Sequence, residues 1–166
     1  MSALQRHRPS RQRGAAAIEF AFVFTIFFGV LYGIFSYAFV MMLQQGLTQA
    51  AAEGARAIRK VDRLSFTTTD TYQTAGSTLA DLSAKASLSW LPNNIATRIT
   101  VASTWQTVNE SVMSGTGKNI TIPSSRITVT VTYPDYAKSP LLPILTLPGV
   151  GAIPQTPKDL VGKATS

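Results

Sequence analysis

The chain contains no cysteine and a single histidine, His7. The first absence excludes disulfides, thiolate metal sites and thiol nucleophiles. The second leaves everything beyond residue 7 without the material for a Ser-His-Asp triad or a histidine-bound zinc. Charge is also scarce: 14% of residues are Asp, Glu, Lys or Arg, and none falls between Phe20 and Leu43. The acids farther along (Glu53, Asp62, Asp70, Asp81, Glu110, Asp135, Asp159) are scattered, with no two close in sequence. Pairing of those acids in space, or a Ser–Lys dyad, stays open because such partners need not be adjacent, but no motif points to either. Gly115-Thr116-Gly117-Lys118 mimics part of a phosphate loop, yet Val112 stands where the first Gly is required and Asn119 where Ser or Thr binds magnesium. Neither enzymatic activity nor a cofactor is expected.

What is present is concentrated at the N-terminal end. The uncharged stretch from Phe20 to Leu43 holds seven of the eight Phe. As a helix its 24 residues reach roughly 36 Å, against a hydrocarbon core of ~30 Å, so the lipid bilayer is the expected environment of a single tilted pass. A cleaved secretory signal is the competing reading, but its apolar region is usually shorter, about 7–15 residues, and no small-x-small junction ends this one. The formal charge of +7 raises the question of nucleic acid. Four of the cations, Arg6, Arg8, Arg11 and Arg13, precede the span, where membrane topology accounts for them, and no nucleic-acid partner is expected. With no acid among them, and no charge from Gln44 to Ala52, they favour a cytoplasmic N-terminus, with the C-terminal domain across the membrane.

Three parts are expected along the chain: a basic leader at 1–14, a transmembrane and extended helix at 15–60, and an α+β domain at 61–166. Nothing between Gln44 and Lys60 stops the helix at the membrane boundary, since that stretch lacks proline and is rich in Ala, Gln, Leu and Arg. Gly46, Ala50 and Gly54, with Gly29 and Gly33 inside the span, form a ridge of small residues at steps of four that lets another backbone approach closely. A second, amphipathic helix is expected from a cap at Asp70 or Thr71, with Tyr72, Ala75, Leu79, Leu82 and Ala86 as its buried stripe and an end near Trp90-Leu91-Pro92. The period then changes to two. Ile99 and Val101 alternate with Arg98 and Thr100, and Ile127, Val129, Val131 and Tyr133 with Thr128, Thr130 and Thr132, which predicts a small antiparallel sheet under the helices. Ile120-Thr121-Ile122 reads as a separate short edge strand after a turn at 114–119, and residues 160–166 as a last strand. Six of the nine prolines lie from Pro134 to Pro157, predicting an extended apolar segment that wraps the sheet or offers a contact surface.

One residue fits a plain anchor badly. Glu19 is a carboxylate near the entrance of the span, where it costs up to ~2.5–3.5 kcal/mol at a helix centre and less near an end. The stretch Gly14-Ala15-Ala16-Ala17-Ile18-Glu19-Phe20 resembles the processing motif of type IV pilin-like proteins. Farther along, residues 44–56, Gln44-Gln45-Gly46-Leu47-Thr48-Gln49-Ala50-Ala51-Ala52-Glu53-Gly54-Ala55-Arg56, are similar to the TadE-like pseudopilins of the Tad (Flp) pilus system. The resemblance implies an inner-membrane minor pseudopilin, cut by a prepilin peptidase between Gly14 and Ala15 and required to assemble a Tad/Flp pilus used in adherence and surface colonisation. It implies a periplasmic C-terminal domain, an assembly contact at Glu19 and Phe20, and as partners other pseudopilins, the major Flp pilin and the Tad inner-membrane assembly platform. Where many members carry a carboxylate or another polar residue midway along the span, this chain has Ser36. The alternative is an unprocessed, signal-anchored periplasmic binding or adaptor protein.

Overall fold

A computed structural model of the chain describes residues 12–113, 119–147, 151–154 and 157–166. Helix α1 (Gln12–Ile58) runs unbroken for 47 residues, starting three residues before the expected 15 and ending two before 60. Its length follows from composition: no proline lies between Pro9 and Pro92, and Ala, Leu, Met and Gln dominate the second half. At its end the chain tightens, with Lys60 N–H donating to Ala57 O and Val61 N–H to Ile58 O, both at 3.0 Å.

Helix α2 (Thr69–Ser87) is capped by Thr68, whose Oγ1 accepts from Thr71 N–H at 3.3 Å. Neither Asp70 nor Thr71 is the cap. Asp70 lies instead in the first turn, where a negative charge meets the positive end of the helix dipole. The buried face also differs from the expected stripe: it is Gly76, Ala80 and Ala84, while Leu82 is 60% exposed. The cause is close packing against α1. A Cβ built on Gly54 would stand 3.1 Å from Ala80 O and 3.6 Å from Ala84 Cβ, and one on Gly76 3.4 Å from Ile58 Cγ2. Gly46 lies against Leu88 and Trp90, so the two helices run antiparallel. Where backbones come this near, the contact selects small residues over large apolar ones, and Leu82 is turned outward.

After Pro92 comes a single turn, α3 (Asn93–Ala96), and then three strands, β1 (Thr100–Met113), β2 (Asn119–Tyr133) and, at the end of the chain, β5 (Leu160–Thr165). They form an antiparallel sheet in the order β1-β2-β5. Residues Ile120–Ile122 are the beginning of β2 and not a separate edge strand, because β1 continues far enough to pair them. The turn expected at 114–119 lies outside the described residues except for Asn119. The alternation along β2 holds: Ile127, Val129, Val131 and Tyr133 are buried toward the helices, and Thr128, Thr130 and Thr132 are on the other face. The architecture is α+β, a long apolar helix and a second helix on one face of a small antiparallel sheet.

A separate hairpin, β3 (Leu145–Leu147) with β4 (Gly151–Ile153), belongs to the Pro-rich segment. The described part of this segment lies against α1. It leaves β2 at Tyr133, whose hydroxyl donates to Ser139 O at 2.9 Å, and runs along α1, where Tyr32 Oη donates to Pro143 O and Ile153 Cγ2 lies 3.7 Å from where a Gly33 Cβ would be.

Candidate functional site

The domain and its Pro-rich segment cover only part of α1. From Gly14 to Phe28 every residue is exposed, and Phe20, Phe22 and Ile26 stand at nearly 70% exposure. Coverage begins at Tyr32 and Gly33 and becomes a continuous buried stripe through Ser36, Val40, Leu43, Leu47, Ala50, Ala51 and Ile58. Gly14–Ile58 is, among the described residues, the one helix long and apolar enough to cross a membrane. An apolar helix left bare in this way fits a single-pass membrane protein.

The expected processing and contact residues all lie on the bare portion. Gly14 is helical, with nothing within 4 Å of a Cβ built on it, and Ala15 is equally exposed. Glu19 is exposed and has no partner among the described residues. It lies four residues past Ala15, one turn along the same face. Phe20 begins a ladder of rings at steps of four, with centroid separations of 5.8 Å to Phe24, 6.1 Å from Phe24 to Phe28 and 6.4 Å from Phe28 to Tyr32. The ladder ends on Tyr32, which bonds the Pro-rich segment at Pro143. Arg6, Arg8 and Arg11 lie outside the described residues, as does the side chain of Arg13, whose backbone is in the first turn of α1.

The small-residue ridge divides into two parts. Gly46, Ala50 and Gly54 are taken up within the chain, Gly46 against Trp90 and Gly54 against α2 and Val129. Gly33 faces Ile153, and Gly29, half-covered, lies one turn before it on the bare side.

Two structurally decisive residues had weaker signals. Gly162 in β5 crosses α1 so closely that a Cβ there would fall well inside 3.0 Å of the backbone of Leu47 and Thr48. A lone glycine in a short strand is the sequence mark of such an approach. The crossing is fastened on either side by Gln44 Nε2 donating to Val161 O at 2.7 Å and Arg59 Nε donating to Ser166 Oγ. Ser36 is 1% exposed and its Oγ has no hydrogen-bond partner among the described residues.

Three local ion pairs lie on the surface among the described residues, Glu53–Arg56, Asp81–Lys85 and Asp135–Lys138. Asp159 Oδ1 accepts from the backbone N–H of Asp135, at 2.9 Å, and so supports its left-handed conformation (φ 50°). Tyr136 has its pKa raised above the ordinary phenol value, mainly by burial, against a smaller opposing effect of Leu141 N–H donating to its oxygen. Among the described residues no group of three or more His, Asp or Glu is gathered to hold a metal.

No curated protein and no solved structure matches the chain. A family model described as TadE-like protein matches residues 14–56, the bare helix together with its domain-facing continuation. That family is pilus-associated and structural in character, so the match relates the chain to Tad pilus components in general. Over residues 14–56 the chain is similar to the TadE-like protein family.

Proposed function

We propose that the chain is a TadE-like minor pseudopilin of a Tad/Flp pilus, held in a bacterial inner membrane with its N-terminus cytoplasmic and its α+β domain periplasmic. The observation that carries the reading is the bare helix from Gly14 to Phe28, in which Glu19, without a partner among the described residues, lies inside the segment that matches the family. A prepilin peptidase cuts between Gly14 and Ala15, removing residues 1–14 and the four arginines that hold that end in the cytoplasm. Cleavage creates an amine on Ala15. Glu19 pairs with the corresponding amine of a neighbouring pseudopilin or of the major Flp pilin, and Phe20 packs beside it. The cost of the acid in lipid is then offset only in the assembled state, which makes the pair a register device. The exposed aromatic ladder and Gly29 supply the surface that the neighbour's helix meets when the Tad inner-membrane platform brings subunits together for a pilus used in adherence.

Mass spectrometry of the protein extracted from native membranes tests the cut. Loss of residues 1–14 is expected in the wild type, and an intact leader in Gly14→Phe, where a ring fills the small-residue junction. An intact leader in the wild type instead identifies an unprocessed, signal-anchored adaptor, and normal processing of Gly14→Phe removes the assignment of the site.

A further inference from the structure

The uncharged run Phe20–Leu43 is roughly 36 Å long, and with the small apolar residues before it α1 offers more length than a hydrocarbon core of ~30 Å needs. Tilt takes up such an excess, so many depths satisfy length alone. The Pro-rich segment decides among them.

Residues 139–157 carry no charge and include five prolines. The segment starts where Tyr133 pairs with Leu160, beside the contact of Val161 with Gln44, and reaches Tyr32 at Pro143. From Gln44 back to Tyr32 is about 18 Å along the helix, so the segment hangs from the sheet toward the bare end of α1. Just past Pro143 it forms a two-stranded hairpin, and Pro143 and Leu145 are exposed. Open strand edges and irregular backbone facing lipid do not occur within hydrocarbon, because their unpaired N–H and C=O groups have no water there. The hairpin therefore limits how deep α1 sinks. Placing the boundary at Tyr32 leaves about 28 Å from Arg13, which matches the core thickness. It also puts a tyrosine at the interface, where amphipathic rings belong.

We propose that the uncharged Pro-rich segment, with its β3–β4 hairpin, is a lipid-contacting element that rests at the headgroup–acyl boundary and fixes the insertion depth of α1. The occupant of its exposed face at Pro143 and Leu145 is the bilayer surface itself, continuous with the lipid around the helix. Proline suits that position, since each one removes a backbone donor that would otherwise lack a partner. As a consequence, Phe39, Met41 and Met42 stand outside the hydrocarbon even though the sequence hydropathy places them within it. The inference rests on α1 spanning a membrane and is independent of any role in a pilus.

The natural absence of cysteine permits a direct test on the full chain. Ile26→Cys, Met41→Cys, Leu145→Cys and, as an aqueous reference, Leu64→Cys are each labelled with a small fluorophore. The protein is held at one chain per nanodisc of mixed phosphatidylcholine and phosphatidylglycerol. Quenching is read with iodide and with lipids carrying a nitroxide near the top of the acyl chain. Ile26 is expected to be shielded from iodide, Met41 to be iodide-accessible like Leu64, and Leu145 to be quenched by the lipid nitroxide with iodide access reduced at least about threefold. Thr146→Cys, exposed on the same strand, repeats the measurement where Leu145→Cys disturbs the hairpin. A Leu145 or Thr146 probe indistinguishable from Leu64, or a Met41 probe as shielded as Ile26, overturns the proposal. So does shielding of Leu145 that appears only with two chains per disc, since the occupant is then a second copy. An Ile26 probe open to iodide removes the membrane-spanning reading and the depth inference with it, whereas failure at Leu145 alone leaves the span intact.

Discussion

Replacing Gly162 by alanine adds one methyl group where β5 meets α1, and the structure leaves it nowhere to go. The Cβ would fall well inside 3.0 Å of the carbonyl carbon and oxygen of Leu47 and of the Thr48 nitrogen, and all three are backbone atoms that no rotamer change can move. Reaching ordinary contact, 3.4 Å or more, requires β5 and α1 to separate by about 1 Å, a strain of the kind that costs ~1–3 kcal/mol in a packed core. The separation also loosens what the crossing holds. Gln44 loses its 2.7 Å hydrogen bond to Val161 O, worth ~1 kcal/mol. Leu160, now 3% exposed, loses part of a burial worth ~2 kcal/mol. A total of ~3–5 kcal/mol is expected, lowering the melting temperature by roughly 10 °C in a chain of this size. Thermal unfolding in nanodiscs, followed by the near-ultraviolet circular dichroism of Trp90 and Trp105, measures it. Gly33→Ala is the control: its Cβ meets only Ile153 at 3.7 Å, an ordinary contact, so it should melt within a degree or two of wild type. A Gly162→Ala protein that melts with the control would show that the close crossing is not a real constraint.

Three further outcomes are expected. Ser36→Ala removes a buried hydroxyl that has no partner and should stabilise the protein by about 1 kcal/mol, seen as a melting temperature higher by a few degrees; a lower one would mean that the hydroxyl is satisfied. Burial raises the pKa of Tyr136 in the folded state, so its contribution to stability is complete below the unfolded value of about 10 and is lost as pH rises through the higher folded value. Ultraviolet titration should therefore show one tyrosine ionising late in wild type and not in Tyr136→Phe, with stability falling on the alkaline side only. Glu19→Ala should insert into membranes at least as well as wild type while abolishing piliation, and unaltered piliation would remove the pairing role of Glu19.

Legibility in the sequence followed the strength of each local signal. The unbroken α1 follows from the absence of proline between Pro9 and Pro92, and β2 from the alternation of Ile127, Val129, Val131 and Tyr133 with threonine. Both are periodic patterns that a chain carries regardless of its neighbours. The face of α2 was misplaced because periodicity weighs large apolar residues, whereas the α1–α2 contact is too close for them and takes Gly76, Ala80 and Ala84. Likewise Gly46, Ala50 and Gly54 show in the sequence that something packs closely, but not that Trp90 and α2 of the same chain fill the place.

From sequence alone come the bare apolar helix, its basic leader, the lone Glu19 and the poverty in catalytic side chains, all of which depend on residue type and local order. Tertiary structure decided where that helix stops being bare. Tyr32 and Gly33 are covered because residues more than a hundred positions later return along α1, and Gly162 allows β5 to lie against it. Hydropathy does not distinguish a residue that faces lipid from one that faces its own domain, since both environments exclude water. Only the path of the backbone separates them, and it divides α1 at Tyr32 into a projecting part and a part built into the domain.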